Sequence, residues 1–175
     1  MKRSAKIAVG GVFSALSLVF MLLTLFPYAT YALAGLAGVM LLPVALECGK
    51  SWAFGAYGVV SLLSFLLVPD MESKLLFVLF FGYYPILKLL LDRLKKGFSW
   101  LLKLAVFNAA MVGSYALLLF VFGLEADAFE LFGIQIPLVF LLLGNGVFWL
   151  YDRVLSGFVV MYISQWRNRI ARLWR

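Results

Sequence analysis

Long apolar runs broken by short charged connections set the pattern of this chain. Six of them fit membrane-spanning helices, at residues 5–26, 32–46, 51–68, 74–91, 99–122 and 135–153. Crossing the ~30 Å hydrocarbon core of a bilayer takes roughly 20 helical residues, and most of these runs approach that length. The first is closed by Pro27, the third stops at Pro69-Asp70, and the fourth runs into the basic cluster Arg93-Leu94-Lys95-Lys96. The second is rich in small residues, Ala34, Gly35, Ala37 and Gly38, which predicts close contact between helix backbones. Beyond residue 155 the chain either prolongs the sixth helix or bends at Gly157 and lies on the membrane surface. Trp166, Ile170, Leu173 and Trp174 recur at helical spacing among arginines, the pattern of an interfacial amphipathic helix, and favour the second course.

Charge orients these spans. With the N-terminus inside, every Lys and Arg except Lys74 falls at the cytoplasmic face or in the inner leaflet. Five of the eight acids, Asp70, Glu72, Glu125, Asp127 and Glu130, fall outside. Basic residues in short loops are what orients a membrane protein, so the sequence predicts an all-α integral membrane protein. It is a single six-helix transmembrane domain with both ends cytoplasmic. The composition agrees: 65% hydrophobic, 13% charged and a mean hydropathy of +1.05. The net charge of +7 therefore reports topology and not a nucleic-acid partner. Lys2, Arg3 and Lys6 with Ala32-Leu33-Ala34 also resemble a cleaved signal peptide. Residues 7–26, however, form an apolar run longer than the usual 7–15-residue core of such a peptide, which points to a retained span.

The motifs of several enzyme classes are missing. The sequence has no phosphate-binding glycine loop, no Gly-x-Ser-x-Gly and no His-Glu-x-x-His. It has no histidine, and its one cysteine, Cys48, cannot form a disulfide or a multi-cysteine metal site within the chain. The expectation is a protein that is not an enzyme and carries neither metal nor cofactor.

Polar residues at membrane depth are the candidates for function. Tyr84, Asn108 and Asn145 fall near the midplane by counting from the span ends. Pro85 withdraws a backbone hydrogen bond from the Phe81 carbonyl, so a phenol, a freed carbonyl and two carboxamides would furnish a small polar site. The same asparagines equally fit interhelical hydrogen bonds that merely hold the bundle. Tyr83 belongs to the same wall, and Tyr31 would line an outer mouth, unless it is one of the aromatic residues that mark the interface. Lys88 and Asp152 share a depth and could form an interhelical ion pair. Alternatively, Lys88 pairs with Asp92 at i, i+4 or reaches the interface while Asp152 stays by Arg153 at the water boundary. In the first span, Ala8, Gly11 and Ala15 make a small-residue face that lets another helix approach closely.

The opening from Lys6 through Gly11 and Ala15 to Leu16, with the size and the six spans, resembles the substrate-binding S components of energy-coupling factor (ECF) transporters. In that family an Ala-x-x-x-Ala motif of the first helix docks a coupling subunit, and Gly11 and Ala15 stand at its positions, Gly11 replacing the first alanine. The resemblance implies capture of a vitamin or similar micronutrient at the outer face of a bacterial or archaeal cell membrane. It also implies partnership with a coupling transmembrane subunit and an ATPase pair. In size and hydrophobicity the chain is also similar to the MreD-type cell-shape proteins, which would make it a scaffold without a ligand. A self-contained secondary carrier using Lys88 and Asp152 is the third possibility.

Overall fold

The computed structural model describes residues 2–26, 29–120, 130, 131 and 134–167. The first span is α1 (Arg3–Leu23), and the second divides into α2 (Thr30–Val39) and α3 (Leu42–Glu47). The third is α4 (Lys50–Leu67). The fourth joins α5 (Met71–Leu76), a π-helical turn (Phe77–Phe81) and α6 (Tyr84–Leu91). The fifth is α7 (Lys96–Phe120), and the sixth is α8 (Ile136–Met161), which runs on into a second π turn, Tyr162–Trp166. Strands β1 (Glu130–Leu131) and β2 (Ile134–Gln135) pair antiparallel ahead of α8. Six of these helical units are long and apolar enough to cross a membrane.

Local chemistry explains the joints. Pro43 has no N–H for the Val39 carbonyl, so α2 ends there and α3 restarts with the proline in its first turn. Pro85 acts in the same way on the fourth span, where the preceding turn widens and the Gly82 N–H donates to the Phe77 carbonyl at 2.7 Å. Asp70 caps α5 by accepting from the Ser73 N–H at 2.9 Å, which moves the start of this span upstream of the expected residue 74. Gly49, at φ 98°, allows the chain to reverse between α3 and α4.

The second and fourth spans are the most covered elements. Helices α1 and α4 pack around them on one side, α7 and α8 on the other. The small residues of α2 meet the fourth span directly. A Cβ on Gly38 would stand 1.9 Å from the Phe81 oxygen, so the carbonyl that Pro85 leaves without its helical donor lies against the Gly38 backbone. It therefore faces a Cα–H, a weak donor, on the α2 side of the fourth span. Two apolar clusters form on either side of this seam. One contains Val9, Ala37, Val60, Phe77 and Ile86, the other Leu42, Phe80, Phe107, Phe148 and Leu155. The outer surface is itself apolar: Leu62, Leu66, Leu101, Leu142, Val147 and Val160 are all exposed.

The sixth span departs from expectation. Its helix does not end near residue 153; helical hydrogen bonding continues through Gly157 to the π turn. Leu155 and Tyr162, both fully buried, keep this extension packed on the bundle. The arginine-rich segment from 168 and the acidic connection with Glu125 and Asp127 lie outside the described residues.

Candidate functional site

Helices α6, α7 and α8 each bury a stripe that contains a charge, α6 burying Pro85 and Ile86 on another face as well. On α6 it is Tyr84, Lys88 and Leu91; on α7 it is Ser99, Lys103, Phe107, Ala110 and Ser114; on α8 it is Phe148, Asp152 and Leu155. Spacings of three and four residues put every member on one helical face. The fold therefore has to carry Lys88, Lys103 and Asp152 into the interior where the three helices meet.

They meet there as a network of four charges. Lys88 Nζ lies 3.0 Å from Asp152 Oδ1 and 3.0 Å from Asp92 Oδ2. Lys103 Nζ bonds Asp92 Oδ1 and approaches the two Asp152 oxygens at 3.3 and 3.4 Å. The Tyr84 hydroxyl donates to Asp152 Oδ1 at 2.7 Å. Both pairings weighed for Lys88 are thus present together. Lys88 is 2% exposed, Lys103 5% and Asp152 7%, while the Asp92 side chain is 44% exposed. Two positive and two negative charges cancel. That balance matters, because a buried ion is tolerated only when paired and hydrogen-bonded. Arg153, beside Asp152, is exposed and covers the Trp149 ring at 5.2 Å.

Sequence alone does not single out Lys103 or Asp92 as members of a site. Lys103 reads as one more basic residue near the inner face when loop charge alone is considered. Its position four residues before Phe107 on the buried stripe was the signal that it points inward.

Asn108 and Asn145 form a separate pair. Asn108 Nδ2 donates to Asn145 Oδ1 at 3.0 Å, and Asn145 Nδ2 to Asn108 Oδ1 at 3.2 Å. Each Nδ2 also bonds its own helix, at the Leu104 and Leu141 carbonyls. Both hydrogens of each amide are therefore used, leaving the pair closed. Phe107 and Phe148, stacked at 4.8 Å, lie between the two polar pairs in sequence on both helices. The common Tyr84–Asn108–Asn145 site expected from the sequence is thus divided: Tyr84 serves Asp152, and the asparagines serve each other. Around Tyr84 the space is filled by Phe80, Phe148 and Tyr151.

The remaining candidates are dispersed. Tyr83 turns from Tyr84 toward α4, edge-on to Tyr57 at 6.0 Å. Tyr31 is exposed and donates to Glu72 Oε1 at 2.7 Å, near the Thr24–Ser73 hydroxyl contact of 3.1 Å. In α1, Gly11 and Ala15 are exposed and Ala8 is half-buried. Cys48 is buried against the Lys6 carbonyl, and burial pushes its thiol up from the usual value, away from the reactive thiolate. Among the described residues no three His, Cys, Asp or Glu side chains come together as metal ligands. The two carboxylates that do share a site are taken by lysines.

Comparison with protein-family models, curated proteins and solved structures finds no match.

Proposed function

We propose that the chain is the substrate-capture subunit of an ECF-type importer of a vitamin or similar micronutrient, embedded in the cell membrane with both termini inside. Six helices of spanning length and many large apolar side chains exposed on the outer surface support the membrane setting. The observation that carries the functional reading is the uncovered face of α1. A Cβ on Gly11 would meet nothing within 4 Å, and Ala15 one turn on is exposed with Val12 and Val19. A small-residue face turned away from the chain's own helices suits a coupling subunit's helix. The substrate would enter at the acidic end, where Tyr31 and Glu72 are exposed. The acids there lean toward a neutral or cationic ligand.

Native mass spectrometry of the protein extracted from its own membranes tests this reading. It should find a co-purifying small molecule, a transmembrane coupling subunit and an ATPase pair. Gly11→Trp and Ala15→Trp should each abolish association with the subunits and leave the small molecule bound. Unchanged association would overturn the docking role, and finding neither ligand nor partner would favour a scaffold. The buried Lys88–Asp152 pair favours a second reading, a self-contained secondary carrier. That reading requires transport by the purified chain alone in liposomes, and its loss in Lys88→Ala.

A further inference from the structure

Four charges make up the network, but they are not equivalent. Asp152 is 7% exposed, lies within α8 and is also bonded by the Tyr84 hydroxyl. Asp92 is the C-cap of α6 at the start of the Asp92–Lys95 connection, and its side chain is 44% exposed. A carboxylate at a helix C-terminus opposes the helix dipole, so the two lysines are what hold it. Lys88 and Lys103, by contrast, are both buried in the interior, and both reach Asp92 as well as Asp152. Asp92 is a short side chain on the solvent side of two buried ammonium groups. Rotation about its own χ1 would vacate the position without unpacking a helix.

We propose that Lys88 and Lys103 form an oxyanion-binding subsite that Asp92 fills in this structure and yields to a small carboxylate. Asp152 and Tyr84 form its fixed wall, and Asp92 acts as a built-in stand-in for the ligand. When Asp92 turns to solvent, an incoming carboxylate restores the balance of two positive and two negative charges, so occupancy costs the interior no unpaired ion. The subsite is independent of the capture role proposed above, since it opens at the basic end of the bundle and not at the acidic one.

Thermal melting in nanodiscs of zwitterionic lipid tests the proposal, with sodium formate or acetate titrated against sodium chloride at equal ionic strength. The wild type should show a saturable, carboxylate-specific rise in Tm, and Lys103→Met should abolish it. Asp92→Ala, with the stand-in removed, should respond at lower concentration. If Asp92 vacates the site about one time in ten, the apparent affinity gains about tenfold. A wild type that responds to formate no more than to chloride overturns the proposal, even if Asp92→Ala responds, because that variant alone would report only the filling of a hole. A wild-type response that survives Lys103→Met overturns it as well. Since the wild type decides, a variant that fails to fold does not protect the idea. Adding phosphatidylglycerol to the nanodiscs separates the sources of oxyanion. Persistence of the formate shift assigns a soluble ligand, its loss assigns a lipid phosphate, and both uphold the subsite.

Discussion

At the scale of single residues, the glycine position with least room for a side chain is Gly38, which faces a backbone carbonyl. Gly38 lies against the Phe81 oxygen, which Pro85 leaves without its helical donor, and a methyl group there would stand 1.9 Å from that oxygen. The obstacle is backbone, which cannot rotate aside as a side chain would. Gly38→Ala should therefore destabilise the fold by about 1–3 kcal/mol, the usual cost of overpacking, seen as a lower melting temperature in detergent. Gly113→Ala is the matched control on α7. Its Cβ would meet nothing within 4 Å, so it should be neutral or gain up to ~1 kcal/mol from helix propensity. Equal effects in the two variants would mean that the α2–Phe81 contact does not bear on stability. The small-residue run in the second span was legible as a close-packing face. Its partner was not, because nothing local connects residue 38 to residue 81.

At the scale of elements, what the sequence could reveal depended on whether a feature is local or collective. Span number and approximate bounds follow from the length of apolar runs, and these are local. The interruption of the second span at Pro43 and the widened turn before Pro85 also have local causes, although only the Pro85 defect was anticipated. The charge network is collective. Lys88 and Asp152 were linked by depth, but Lys103 joins them only because three separate stripes converge. The sixth helix shows the opposite error, a local cue overridden by packing. Gly157 and the arginines beyond it favoured a bend over a prolonged helix, yet buried Leu155 before that point and buried Tyr162 beyond it hold the helix to the bundle. With Gly157 helical and a Cβ there meeting nothing within 4 Å, Gly157→Ala should raise stability by up to ~1 kcal/mol. A bend that needs glycine would make the same change destabilising, and a melting curve distinguishes the two.

At the scale of the whole molecule, charge is divided between the two ends of the bundle. Arg93 and Lys95 in the α6–α7 connection join Lys50 and Lys96, the first residues of α4 and α7, at one end, while Asp70 before α5 and Glu72 in its first turn mark the other. Basic loops resist translocation, so the orientation proposed above puts the basic end in the cytoplasm. Leu25, just past α1, and Leu94, in the α6–α7 connection, are both exposed and lie at opposite ends. Buried Cys48 is the only native thiol, so Cys48→Ala provides a clean background for single cysteines. A membrane-impermeant maleimide applied to intact cells should label Leu25→Cys at once and Leu94→Cys only after permeabilisation. The reverse pattern would invert the bundle. It would also move the proposed Lys88–Lys103 subsite, which lies toward the Leu94 end, to the outer face, where it could take its carboxylate from the medium, and Tyr31 and Glu72 could no longer be the entry for an imported substrate. This one labelling experiment therefore bears on both proposals, because each assigns its ligand to one side of the membrane.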